Sequence, residues 1–133
     1  MNQIDTAALP EPPNEEGLAA FSQRAGAAGS VVMLNLLAFE PDGGRERYEQ
    51  YAAAVAPLLE RVGGRIVYGA ESAPPLLGMR GWDVVALVEY PSRQAFLEMV
   101  GSPEYQAIAH LRTEALTAGE LHPLDTLGAA LDR

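Results

Sequence analysis

The chain has 133 residues and a formal net charge of −9, from nine basic and 18 acidic side chains. Every basic residue is arginine and cysteine is absent, so Schiff-base amines, P-loop lysines, thiol nucleophiles, disulfides and thiolate-held metal centres are excluded. An acidic chain without basic clusters also suits neither nucleic acid nor an anionic membrane.

Residues 1–13 contain Pro10, Pro12 and Pro13 among polar residues and read as an irregular arm. They lack the positive start and apolar core of a secretory signal. No stretch approaches the roughly 20 apolar residues of a membrane span, so a cytoplasmic location is expected. Asn14 before Glu15 and Glu16 is a helix start, with a cap followed by acids at the positive end of the dipole. Leu18 and Phe21 share a face of the resulting short helix, over about 15–25. Val31 to Leu37 is an apolar run between turn signals and predicts a strand buried on both faces. After the Pro41-Asp42-Gly43-Gly44 turn, Tyr48, Tyr51, Val55, Leu58, Leu59 and Val62 repeat with helical period. Pro57 interrupts that helix and Gly63-Gly64 ends it. Strands are predicted at 66–70 and 82–90. Ser92 caps a helix to Val100, and Ser102-Pro103 starts another to about Leu116. A last short strand at 121–124 holds Pro123, which suits an edge. The chain thus divides into an arm with a short helix (1–29), one domain (30–125) and a tail (126–133).

Strand–helix–strand–strand–helix–strand implies an α+β ferredoxin-like sandwich, a four-stranded antiparallel sheet in the order 4-1-3-2 with helices on one face. In the third strand, Trp82, Val84, Ala86, Val88 and Tyr90 are assigned to the helix side. Asp83, Val85, Leu87 and Glu89 then face the open side. An apolar sheet face left open marks a partner surface. A second copy, sheet to sheet across a two-fold axis, is its simplest cover, with a small-molecule cavity between the sheets.

Met33-Leu34-Asn35-Leu36-Leu37, Tyr48 and Tyr51, Gly63-Gly64-Arg65, Trp82-Asp83, Tyr90-Pro91-Ser92 with Ala95-Phe96, and Pro103-Glu104-Tyr105-Gln106 followed by Arg112 occur in this order. In these segments the chain resembles the family called domain of unknown function 1330, over about 30–125. The resemblance implies a dimeric α/β barrel, a superfamily that includes cofactor-free monooxygenases and haem-degrading enzymes. It implies no settled activity, and a shared fold does not transfer chemistry.

Several residues are candidates for a ligand pocket. Arg112 interrupts the apolar stripe Tyr105, Ile108, Ala109, Leu116 with a permanent charge. It is either an internal clamp paired with Trp82 or Asp83, or an anchor for a substrate carboxylate. Asn35 interrupts an apolar strand. If it faces the barrel interior, it lies near Asp83, with Glu71 across the hairpin, where carboxylates could act as general acid or base. The alternative is that Asn35 satisfies backbone groups and both acids sit at strand ends in water. His122 alternates with Glu120 and is either a proton acceptor in the interior or a rim residue. His110 falls on a solvent-facing helix side. The two histidines are too far apart in sequence for a helical metal pair, so neither metal nor cofactor is expected. Tyr68 and Trp82 are candidate aromatic lining, and Tyr48 and Tyr51 read as core. The expected function is binding of a small apolar or aromatic molecule, with cofactor-free oxygenase or isomerase chemistry open. The alternative is a dimeric module without substrate.

Overall fold

A computed structural model describes residues 13–125. Residues 1–12 of the expected arm and the tail 126–133 lie outside them. In chain order the elements are α1 (Glu15–Gln23), β1 (Val31–Phe39), α2 (Gly44–Arg61), β2 (Arg65–Glu71), β3 (Val84–Tyr90), α3 (Arg93–Gly101), α4 (Pro103–Ala115) and β4 (Leu116–Leu124). The sheet order is β2-β3-β1-β4, every pair antiparallel, which is the predicted 4-1-3-2 read from the other edge.

Local chemistry sets the boundaries. The Asn14 side chain accepts the Gly17 N–H at 2.9 Å, and Ser92 caps α3 through the Ala95 N–H at 3.0 Å. Ser102 ends one helix and opens the next: its hydroxyl donates to the Met99 carbonyl at 2.7 Å and accepts the Tyr105 N–H at 3.1 Å. α2 runs through Pro57 without ending. Its first turn needs Gly44, where a Cβ would come within 2.6 Å of the Ala115 carbonyl oxygen. That close approach seats the start of α2 against the end of α4.

β1 runs two residues past its predicted end, to Phe39, and the starts of β4 and β3 also depart from the sequence reading. β4 begins at Leu116 rather than Leu121, with no loop after α4. No Gly or Pro stands at that junction to signal a stop. The helix ends because Leu116 turns extended (φ −114, ψ 138) to pair with Phe39. β3 begins at Val84 rather than Trp82. The Asp83 N–H still donates to the Leu37 carbonyl at 2.8 Å, and its carboxylate accepts the Phe39 N–H at 2.8 Å, so its side chain serves the neighbouring backbone.

The register sorts the two faces. Met33 pairs with Val88, Asn35 with Ala86 and Leu37 with Val84, and paired residues share a face. Val31, Met33, Leu37 and Tyr90 are buried beneath the helices, with Tyr51, Leu58, Met99 and Tyr105 above them. Each such apolar side chain contributes about 1.5–3 kcal/mol by leaving water. The prediction that β1 is buried on both faces is corrected. Val32, Leu34 and Leu36 remain half-buried on the open side, beside Glu89, Leu87 and Val85. The face assignment of β3 agrees with the sequence reading. α1 joins the same core through Phe21, whose ring meets Phe96 edge-on at 5.5 Å.

A candidate anion pocket beneath the helices

Tyr48 and Tyr51 lie three residues apart on α2, and Tyr105 and Arg112 seven apart on α4, so each pair shares one helix face. Between these helices and the sheet their polar ends meet. The Tyr51 and Tyr105 hydroxyls form a buried hydrogen bond at 2.8 Å. The Tyr48 ring packs on Tyr51 at 5.4 Å and on Phe39 at 5.6 Å. The Arg112 guanidinium donates to the Asn35 carboxamide oxygen at 3.5 Å, at the long limit of a hydrogen bond, and lies near enough to Tyr48 to act on its hydroxyl electrostatically. Among the described residues no carboxylate lies within ion-pair distance of Arg112. A partly buried cation held only by neutral oxygens is incompletely compensated.

Burial raises the pKa of Tyr48, and the Arg112 charge pulls it partly back. Burial also pushes Tyr51 well above the ordinary phenol value and raises Tyr90. These hydroxyls therefore stay protonated at neutral pH and act as donors. The cluster offers positive charge and O–H groups, a combination that favours an anionic oxygen.

The structure separates the residues grouped in the sequence reading. Asn35 faces the helices and meets Arg112; it is not beside Asp83 and Glu71. The cause is register: opposite Ala86, Asn35 must share the helix side. Arg112 is satisfied by neither Trp82 nor Asp83. Trp82 instead lies under Arg80, at 5.0 Å from its ring. Asp83 is exposed at the strand end, and Glu71 is 81% exposed with Arg45 at 3.7 Å. The exposed carboxylates fit the alternative of strand ends in water. Tyr68 lies on the open face opposite Leu87. His122, opposite Leu34, is also on that face at the sheet rim, its Nε2 2.8 Å from Glu120. His110 is exposed. Among the described residues no three His, Cys, Asp or Glu side chains cluster to hold a metal ion, and no helix is long and apolar enough to cross a membrane.

A cleft of about 460 Å³ opens nearby, between the β1–α2 turn and the start of β3, lined by Phe39, Glu40, Gly43, Arg45, Glu46 and Asp83. Phe39 forms its inner wall. The Arg45 guanidinium lies 4.9 Å from the centre of that ring, and the Tyr48 ring packs on it at 5.6 Å. Packed aromatic rings thus stand between the cleft and Arg112.

The hydroxyl pairing across α2 and α4 was missed in the sequence reading, which took Tyr48 and Tyr51 as packing. The available signal was three tyrosines on the same two helix faces as a lone arginine.

The family model described as Domain of unknown function (DUF1330) matches residues 43–121. The chain belongs to this family. The matched stretch holds Tyr48, Tyr51, Tyr105 and Arg112, whereas Asn35 precedes it. A solved structure of RPA0582, a protein of unknown function from Rhodopseudomonas palustris, is 32% identical, covering 96% of this chain and 98% of its own, with a TM-score of 0.77. At3g17210 from Arabidopsis thaliana is 14% identical over 76% of this chain and 99% of its own, with a TM-score of 0.61. A protein from Thermobifida fusca described as dimeric and ferredoxin-like, of unknown function, is 13% identical over 75% and 93%, with a TM-score of 0.53. The latter two likenesses establish the fold alone. No curated protein matches the chain.

Proposed function

We propose that this DUF1330 protein is a homodimer that binds a small apolar or aromatic molecule carrying an acidic oxygen, a carboxylate or an enolate. One observation carries the reading: the Arg112 guanidinium sits beneath the helices among Tyr48, Tyr51, Tyr105 and Asn35, and among the described residues no carboxylate neutralises it. A ligand anion supplies the missing charge, and the surrounding rings supply apolar surface. The open face, with Leu34, Leu36, Val85 and Leu87 at its centre, is the dimer surface, in line with the dimeric description of ferredoxin-like relatives.

The protonated tyrosines make the pocket a stabiliser of negative charge rather than a remover of protons. The reaction class this supports is enolate stabilisation, as in isomerisation or cofactor-free oxygenation of an acidic substrate. Calorimetric titration and thermal shift with benzoate, against neutral benzamide, test the binding claim. Benzoate is expected to raise the melting temperature in the wild type and not in Arg112→Met. Equal responses to both compounds, or an undiminished response in the variant, overturn the assignment.

A second reading, a dimeric module without ligand, is favoured by the Tyr51–Tyr105 bond, which satisfies two hydroxyls internally. It predicts no response to any aromatic acid.

A further inference from the structure

Among the described residues, the large apolar side chains left exposed gather at two places. Ile66, Val67, Tyr68, Leu76, Leu77 and Met79 lie on β2 and the loop after it, whereas Leu18, Leu121 and Leu124 lie on α1 and β4. The loop is the extreme case: Leu76 is 98% exposed, Leu77 92% and Met79 99%. Its base is closed by the Ser72 N–H donating to the Asp83 carbonyl at 2.9 Å, so an apolar tip is held out from a fixed foot.

These two places are diagonal corners of the sheet. β2 ends at Glu71 beside Val84, level with Leu37 near the end of β1. β4 ends at Leu124 beside Val32, at the start of β1, where Arg24 ties α1 to Asp125 at 3.0 Å. A hollow of about 200 Å³ lies at that second corner on the helix side of the sheet, between Gly17, Ala20, Phe21 and Pro123, the last opposite Met33. When two such sheets pack face to face with strands near 90°, one of the two common arrangements, a two-fold axis along the other diagonal sets each loop corner at the edge of the partner's β4, where the tip wraps past Leu124 to reach α1 on the helix side.

Area points the same way. Four strands about 4.8 Å apart and some seven residues long give a flat footprint of roughly 440 Å², a small face for the ~800 Å² of accessible surface per partner in a standard interface. The exposed loop tip enlarges it. A bilayer is the weaker occupant, since the chain carries −9 and Arg80 is the loop's sole cation.

We infer that the 72–83 loop is a docking arm for a second copy of this chain, its Leu76–Leu77–Met79 tip seating on the partner's α1–β4 corner. This rests on the homodimer reading above and specifies the contact that holds the dimer. The natural chain has no cysteine, so engineered thiols react alone. The full chain carrying both Leu18→Cys and Leu77→Cys, treated with a short bis-maleimide, is expected to give a covalent dimer, while Leu77→Cys alone gives none. The triple variant Leu76→Ser, Leu77→Ser, Met79→Ser is expected to weaken dimerisation at least about tenfold in sedimentation, with its circular dichroism unchanged. Cross-linking by Leu77→Cys alone overturns the corner pairing, because loop would then meet loop. A triple variant that dimerises as tightly as wild type overturns the arm and leaves the dimer standing. A wild type that sediments as a monomer throughout overturns the dimer reading and the arm together. Flotation of the wild type with neutral phosphatidylcholine vesicles, lost in the triple variant, assigns the tip to a bilayer instead.

Discussion

Two arginines enter the helix side of this molecule and are handled differently. Arg93, at the start of α3, is only 7% exposed, stacks over Phe21 at 5.2 Å and pairs with Asp125 at 3.2 Å. Arg24 reaches the same carboxylate from α1. Arg112, on α4, meets a carboxamide and a phenol. The first cation has an aromatic floor and an acid, so its charge is used within the fold. The second has one long contact to a neutral oxygen and, among the described residues, no countercharge. Arg93 is buried and Arg112 half-buried; the unequal compensation distinguishes a structural clasp from a binding group, and mutations at the two places should separate the roles.

The largest effect is expected at the clasp. Arg93→Ala removes the stack on Phe21, both contacts to Asp125 and the packing of the stem. Asp125 is 48% exposed and returns to water, so the loss stays near ~2 kcal/mol rather than the larger figure for a stranded buried charge. The Arg93 Nε is buried without a partner, so Arg93→Met, which keeps the stem and removes that group, should recover about half the loss. Urea unfolding of the three proteins checks this. A milder Arg93→Ala than Arg93→Met would contradict the clasp.

Next is the hydroxyl pair of the pocket. Tyr51→Phe strands the buried Tyr105 hydroxyl and should cost about 1–2 kcal/mol. Removing both hydroxyls should cost less than the sum of the single changes, a coupling near ~1 kcal/mol in a double-mutant cycle. Additive losses would mean that the 2.8 Å contact does not form in solution.

The contrast between the arginines also shows what the sequence could convey. Element order, sheet order and the inward face of β3 follow from periodicity and turn chemistry, because alternation along Val84–Tyr90 is a local signal. The start of β4 was illegible: Leu116 continues the helix stripe and turns extended only to pair with Phe39. Arg112 stood out as a charge in an apolar stripe, but its partners depended on register. An interior-facing Asn35 would lie near Asp83, whereas its cross-strand neighbour is Ala86 and it faces the helices. A slip in assumed face moves every side chain of a strand to the wrong side. Arg93 gave no signal, since its acid lies 32 residues away.

At Arg112 the expected stability change is smaller than at either site above and can take either sign. Arg112→Met exchanges an incompletely compensated cation for an apolar side chain of similar reach, an exchange often neutral or stabilising. A change within about 1 kcal/mol, together with loss of benzoate binding, is the outcome that separates it from Arg93. A loss as large as that of Arg93→Ala would make Arg112 a second clasp.

The smallest effect is the pH dependence of Asp125. The guanidiniums of Arg24 and Arg93 hydrogen-bond its carboxylate and hold its pKa below the ordinary 3.8. A group whose pKa is lower in the folded state stabilises the fold above its unfolded pKa, and that contribution fades as pH falls through the folded value. Since Asp125 is half-exposed, its pairing is worth no more than about 1 kcal/mol and is screened by salt. Glu104, lowered by its own backbone hydrogen bond and by Arg61, titrates in the same acid window. Wild type must therefore be compared with Asp125→Asn rather than with itself at another pH. The stability difference between them is expected to be constant from pH 7 to 5, to narrow below pH 4, and to shrink in high salt. A gap that stays open in acid would mean that Asp125 stabilises the clasp through packing rather than charge, and the two arginines would then differ in shape more than in electrostatics.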